Sequence, residues 1–161
     1  MKNNKGFSLV ELIIVIAIMA ILVGVMAPQL IKYIEKSKVS ADTQLADSVH
    51  TAILTAMMDP EVVNSSAYNG EISGYYTAKP VSGLTATAST PIASSALEIM
   101  GASNGTAVNG SIKSTTNGSG AGVSFLVTSD NSLSVWISGT DSTGSKGRNA
   151  TIGWSSPIVV K

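Results

Sequence analysis

The feature that most constrains this chain is a run of twenty residues without a charge, from residue 12 to residue 31. An α-helix rises about 1.5 Å per residue, so the run would span about 30 Å, the hydrocarbon thickness of a bilayer. This length and composition predict a membrane-spanning helix near the N-terminus. One carboxylate, Glu11, stands at the head of the run, where burial in lipid without a partner would be costly.

Two simple interpretations of the run fit it poorly. A secretory signal peptide would use Lys2 and Lys5 as its basic region, but its apolar region is usually only about 7–15 residues long. Its small-residue cleavage site at residues 25–27 would also be followed by Pro28, a poor residue after a cut. A plain membrane anchor has no clear orientation, because lysines flank both ends of the run, and it leaves Glu11 unexplained.

The residues around Glu11 support a third and more specific interpretation. The stretch KGFSLVE at residues 5–11, followed by an apolar helix, resembles the class III signal of type IV pilins and the related pseudopilins. The resemblance implies that residues 1–6 are a leader, which an inner-membrane peptidase removes after Gly6. It also implies that Phe7, the new first residue, is N-methylated. In this family a Glu stands four residues beyond the first mature residue, which is the position of Glu11.

Elementary chemistry agrees with these roles. Gly6 has no side chain to obstruct a peptidase, and the positive charge of the leader keeps it on the cytoplasmic side. Cleavage would leave a cationic amine on Phe7, and residues four apart share one face of a helix, so this amine and Glu11 could pair within a subunit. They could equally pair between neighbouring subunits, and the sequence leaves that choice open. Glu11 and Phe7 are therefore the predicted assembly contact.

The apolar helix of residues 7–31 contains one predicted weak point, at Gly24 and Pro28. Proline removes a backbone donor and clashes with the carbonyl four residues earlier, so we expect a kink near these residues. In type IV pilins the resemblance further implies that the helix unwinds locally here in the filament.

Beyond Pro28 the pattern becomes amphipathic, with apolar residues recurring at three- and four-residue steps. The predicted apolar stripe consists of Ile31, Ile34, Ala41, Leu45, Val49, Ala52, Ile53 and Ala56. Charged residues fall mostly on the other faces: Lys32, Glu35, Lys36, Asp42 and Asp47. Residues 32–59 are thus predicted to be the amphipathic half of one long helix that begins at about Ser8 and ends before Asp59-Pro60.

Residues 60–161 are predicted to form a C-terminal globular domain with an antiparallel sheet. Residues 122–129 and 133–139 alternate between apolar and polar side chains and are joined by a short polar turn, which predicts a β-hairpin. A further strand is expected at residues 150–154, and an edge strand at 157–160. A long N-terminal helix packed on this small sheet is an α+β fold, like that of type IV pilins.

The segment between the helix and the hairpin gives weaker signals. Residues 74–77 are predicted to be a short strand. The spacing of Ser95 and Glu98 is that of a capping box, with Gly101 as the stop, and predicts a short helix there. The Ser-, Thr-, Gly- and Asn-rich residues 102–122 are predicted to be an exposed loop or a connection between strands.

The composition predicts neither an enzyme nor a metalloprotein. The ten basic and ten acidic residues balance, so net charge does not favour nucleic-acid binding. There is no cysteine, and the one histidine, His50, stands beside the apolar stripe rather than among other ligands. Asp130 and Asp141 are too isolated for a calcium site. No cofactor is expected. Other pilins close this region with a disulfide, and its absence here favours a Gram-positive source.

The resemblance implies a structural subunit of a type IV pilus that polymerises through its N-terminal helix. The chain would first span the inner membrane once and then enter an extracellular filament, or fimbrium, for adhesion, motility or biofilm. Its implied partners are other copies of itself, the prepilin peptidase and N-methyltransferase, the pilus assembly platform and the membrane before assembly. The sequence identifies no host or surface ligand. The alternatives are a pseudopilin of a type II secretion or DNA-uptake apparatus, and an anchored binding domain that never assembles.

Overall fold

The computed structural model describes residues 8–113 and 122–138, together with the backbone of residues 159–160. The chain divides into two compact units, Met1–Lys36 and Ser37–Lys161. The described part of the first unit is helical from Leu9 onward, whereas the second unit combines helices with a sheet.

Helix α1 comprises Leu9–Met58, which confirms the long N-terminal helix predicted from the sequence. It ends before Asp59-Pro60, as expected from the loss of the proline N–H. The helix is assigned without interruption through Gly24 and Pro28. The predicted unwinding concerns the filament and stays a prediction.

In the first unit, every described residue from 8 to 34 is exposed. Its large apolar side chains retain between 47% (Val15) and 72% (Leu9) of their accessible surface. By length and composition this helix is able to cross a membrane. Ile31 and Ile34, which the sequence placed on a stripe facing the domain core, belong to this exposed group, so that part of the prediction is wrong.

In the second unit, α1 buries one face against the rest of the domain. The buried residues of this face are Val39, Asp42, Ala46, Val49, Ala52, Ile53, Ala56 and Met57. Asp42 was expected on a polar face, but it is 1% exposed. Its Oδ1 accepts a hydrogen bond of 2.8 Å from the backbone N–H of Lys113, a partner distant in sequence. Burial of this carboxylate is tolerated because it is hydrogen-bonded.

Two short helices follow α1. Helix α2 comprises Pro60–Val63 and is capped by the side chain of Asp59, which accepts from the backbone N–H of Glu61. Helix α3 comprises Tyr68–Gly74. The strand predicted at residues 74–77 is therefore wrong. The ring of Tyr75 packs edge-on against Phe125, with 4.9 Å between the ring centroids. Tyr75, at the C-terminal end of α3, is therefore part of the core.

Helix α4 comprises Pro91–Ile99 and starts four residues before the predicted Ser95. Proline is favoured at the first helical position because its missing N–H would have no partner there. Gly101 has a φ of 63° and ends this segment, as predicted.

Helix α5, Gly105–Asn109, lies inside the segment predicted to be a loop, which corrects that prediction. The side chain of Asn104 caps it by accepting from the N–H of Ala107 at 2.9 Å. A Cβ on Gly105 would lie 1.6 Å from the carbonyl oxygen of Val81, so only glycine fits this close approach.

The sheet has four antiparallel strands in the order β1-β2-β3-β4. These are Lys79–Pro80, Gly122–Val127, Leu133–Ser138 and Val159–Val160. The predicted hairpin is confirmed as β2 and β3, with Phe125 opposite Val135. Val159–Val160 is an edge strand, as predicted, whereas the strand expected at residues 150–154 lies outside the described residues.

One hydrophobic core holds the second unit together. The alternating apolar residues of β2 and β3 are all buried: Val123, Phe125, Val127, Leu133, Val135 and Ile137. They share one cluster with the buried face of α1 and with apolar residues of α3 and α4. The predicted α+β fold is therefore confirmed.

A buried carboxylate fixes the start of α4. Glu71, from α3, is 9% exposed and accepts hydrogen bonds from the backbone N–H groups of Ile92 (2.7 Å) and Ala93 (2.9 Å). It also accepts from the hydroxyl of Tyr75 at 2.5 Å. Burial and the neighbouring carboxylate raise the pKa of Tyr75, so this hydroxyl remains a donor. Thr90 precedes α4 without a side-chain cap, and Glu71 takes over that function.

We predict that Glu71→Ala lowers the free energy of unfolding by about 2–4 kcal/mol, because it leaves two buried N–H groups and one hydroxyl without an acceptor. The measurement is thermal and urea unfolding of the detergent-solubilised full chain, followed by near-UV circular dichroism. Glu61→Ala, at an exposed glutamate in α2, is the control and should change stability by less than about 0.5 kcal/mol. Equal effects of the two substitutions would contradict the capping role.

Candidate functional site at the start of the N-terminal helix

The predicted assembly residue Glu11 lies in the first turn of α1. Its Oε2 accepts a hydrogen bond of 2.8 Å from the backbone N–H of Ser8, the residue before the helix. The carbonyl of Ser8 in turn accepts from the N–H of Leu12 at 3.2 Å. The helix therefore begins with its first acidic side chain folded back over its own N-terminus.

This contact is the return half of a capping box, in which the residue at the third helical position bonds the N–H of the capping residue. The sequence predicted an amine as the partner of Glu11 and did not predict this bond. The signal was present, because Ser8 and Glu11 have the Ser-x-x-Glu spacing of a capping box.

Electrostatics favour a negative charge at this position. The N-terminus of a helix carries a partial positive charge from its unpaired N–H groups, which stabilises a carboxylate in the first turn. Glu11 is the one charged residue from residue 8 to residue 31. A carboxylate has about four lone-pair sites, so the bond to Ser8 leaves room for a further donor such as an amine.

Gly6 and Phe7, the predicted cleavage and methylation residues, lie outside the described residues. Cleavage after Gly6, methylation of Phe7 and pairing of its amine with Glu11 therefore stay predictions. Phe7 is joined directly to Ser8, whose N–H Glu11 contacts.

The described chain contains no cluster of metal-ligand side chains. Within residues 8–113 and 122–138, no three or more His, Cys, Asp or Glu side chains converge as metal ligands. Asp130 accepts from the hydroxyl of Thr128 in the turn between β2 and β3, and this bond together with that from the Ser132 backbone lowers its pKa. Asp141 lies outside the described residues, and His50 is half-buried on α1.

Comparison with known proteins identifies the N-terminal segment. Residues 1–27 match the family model described as "Prokaryotic N-terminal methylation motif". The match includes Gly6, Phe7, Glu11 and Gly24 and ends just before Pro28.

Curated relatives extend the likeness. The chain is 43% identical over 56 residues to the type IV major fimbrial protein FimA of Dichelobacter nodosus, covering 35% of this chain and 36% of that protein. It is 46% identical over 55 residues to a fimbrial protein of Moraxella nonliquefaciens, covering 34% and 36%. A fimbrial protein of Pseudomonas aeruginosa is 36% identical over 67 residues, covering 42% and 44%.

These matches confirm the resemblance to type IV pilins that was stated from the sequence. The chain spans less than half the length of the curated relatives it matches. No solved structure matches the chain.

We predict that Glu11→Ala speeds hydrogen exchange of the Ser8 amide about fivefold in detergent micelles, since removal of a helix cap costs about 1 kcal/mol. The measurement is amide exchange by NMR on the uncleaved chain. Val10→Ala changes a neighbouring first-turn residue that makes no such bond and should leave the rate unchanged. An unchanged Ser8 rate in the Glu11 variant would show that the bond does not protect this amide.

Proposed function

We propose that this protein is the structural subunit of a type IV pilus, made as a precursor and polymerised through its N-terminal helix. The observation that carries the proposal is the methylation motif over residues 1–27, which runs into an exposed, membrane-length helix with a single carboxylate at its start. A structural role is also consistent with the curated relatives, which are named fimbrial proteins.

Processing is the first step of the proposed function. A membrane peptidase removes residues 1–6 by cutting after Gly6, and the same machinery methylates the new amine of Phe7. The positive charge of Lys2 and Lys5 keeps the leader on the cytoplasmic face, where the cut takes place. No residue of this chain acts as a catalyst in these steps. Gly6 and Phe7 are the substrate.

The membrane stores the subunit before assembly. Twenty residues from Leu9 onward span about 30 Å as a helix, enough for the hydrocarbon core. Their side chains are exposed throughout this part of the chain, so lipid is the environment that satisfies them. During assembly the copies leave lipid, and the apolar faces of neighbouring helices replace it.

Glu11 supplies the specificity of that assembly. An unpaired carboxylate in an apolar helix bundle is strongly disfavoured, so its need for a partner fixes the position of one helix against the next. Before assembly, the carboxylate of Glu11 accepts one hydrogen bond, from the N–H of Ser8. The remaining acceptor sites are available to the amine of Phe7, from the same chain or from a neighbour. Gly24 and Pro28 mark where the helix would unwind in the filament.

The second unit, with its sheet and short helices, forms the outward part of the filament. An assembly platform in the membrane is the further partner that polymerisation requires. The proposed localisation is the inner membrane and then the extracellular fimbrium. Adhesion, motility or biofilm formation would follow from the polymer.

We predict that Glu11→Ala reduces sheared surface filaments at least about tenfold while the membrane pool of processed subunit persists, because an unpaired amine then opposes assembly. Glu11→Gln keeps a side-chain acceptor for the Ser8 N–H but removes the negative charge. Comparing it with Glu11→Ala therefore separates the effect of the capping bond from that of the ion pair. Val10→Ala is the matched control and should assemble normally. Normal filaments containing the Glu11→Ala protein would contradict the role of Glu11.

A further inference from the structure

The second unit contains an apolar groove beside α1. It has a volume of about 890 Å³ and is lined by Leu45, Ser48 and Ala52 of α1, and by Ile99, Met100 and Val108 across from them. Of the described residues that line it, the charged one is Asp47, which is exposed. The groove follows α1 for about two helical turns, from Leu45 to Ala52.

The first unit carries an apolar ridge made of Leu30, Tyr33 and Ile34. Their spacing of three and four residues places them on one face of the helix, and they are 59%, 68% and 48% exposed. The Nζ atom of Lys36 lies 6.0 Å from the centre of the Tyr33 ring, so a positive charge borders the ridge.

Most of the ridge lies beyond the membrane-length run. The uncharged residues 12–31 span about 30 Å, so Tyr33 and Ile34 fall past the hydrocarbon core, and Leu30 lies at its edge. A contiguous exposed apolar surface of this kind marks an interaction site.

We propose that the ridge of one copy docks into the groove of a second copy. Both surfaces are mainly apolar and follow a helix, so the three ridge side chains are able to pack between α1 and the residues opposite it. The charges at the borders are opposite, with Lys36 beside the ridge and Asp47 in the lining of the groove. This complementarity selects a second copy of the chain as the occupant.

The symmetry of the contact agrees with a filament. The ridge and the groove are different surfaces of the same chain, so the contact is heterologous, and each docked copy still offers one ridge and one groove. Contacts of this kind that do not close into a ring produce open helical assemblies. The inference rests on the proposed function, since it assumes that copies assemble side by side.

The test uses the natural absence of cysteine. Cells that assemble the chain would express Ile34→Cys together with Ser48→Cys, and their filaments would be treated with a short bis-maleimide. Each copy then carries one reactive group on the ridge and one in the groove. We expect a ladder of covalent multimers, whereas either single variant stops at dimers.

Ile34→Cys combined with Ser66→Cys is the matched control, because Ser66 is exposed but does not line the groove. An equal ladder from this pair, or no ladder from filaments of the first pair, would overturn the docking proposal alone. Failure of the unaltered chain to enter filaments would instead overturn the proposed function.

A charge exchange keeps the proposal testable if the cysteine variants do not assemble. We expect Lys36→Glu and Asp47→Lys each to lower filament yield about five- to tenfold, and the double variant to recover most of it, because rim charges steer association. No recovery in the double variant would overturn the contact. A different result would also overturn the contact: Lys36→Glu is no longer retained in the membrane, while Asp47→Lys assembles normally. Lys36 would then contact lipid headgroups rather than the groove of a second copy.

Discussion

The constraint on which the rest of the molecule depends is the exposed apolar surface of the first unit. From Leu9 to Ile34 its large side chains keep roughly half or more of their accessible surface. Apolar surface of this extent is not stable in water, so the unit requires lipid or the helices of other copies around it. Under the proposed function, a subunit moves from lipid into a filament and exchanges lipid contacts for contacts with the helices of other copies.

In the proposed assembly, the carboxylate of Glu11 converts this unspecific requirement into a positioned contact. Packing among uniform apolar side chains permits many alignments of one helix against another, whereas an ionised group in that setting tolerates few. The second unit has a hydrophobic core of its own. Its core closes over the sheet and the later part of α1, and the buried acids Asp42 and Glu71 hold backbone N–H groups from distant segments. If the proposed function holds, stability and assembly depend on different parts of the chain.

Sequence periodicity predicted the parts of the fold in which local pattern and burial coincide, namely the long helix and the β2–β3 hairpin. It failed where a tertiary partner decides the outcome. Asp42 has the polarity of a surface residue, and only the N–H of Lys113, distant in the chain, explains its burial. Likewise, α4 begins at Pro91 because Glu71 from another helix caps it. At the candidate site, the sequence predicted the methylation motif that the family model matches, but not the bond between Glu11 and Ser8. The partner of Glu11 in an assembly depends on a second copy, which one sequence does not contain.

The most direct test of the central claim is mass spectrometry of the N-terminal peptide of the protein isolated from surface filaments. The account predicts a peptide that begins at Phe7 and carries one added methyl group on its amine. A mature N-terminus at Met1, or a cut near residue 27 at the far end of the apolar run, would contradict it, because the amine proposed to meet Glu11 would not exist at that position.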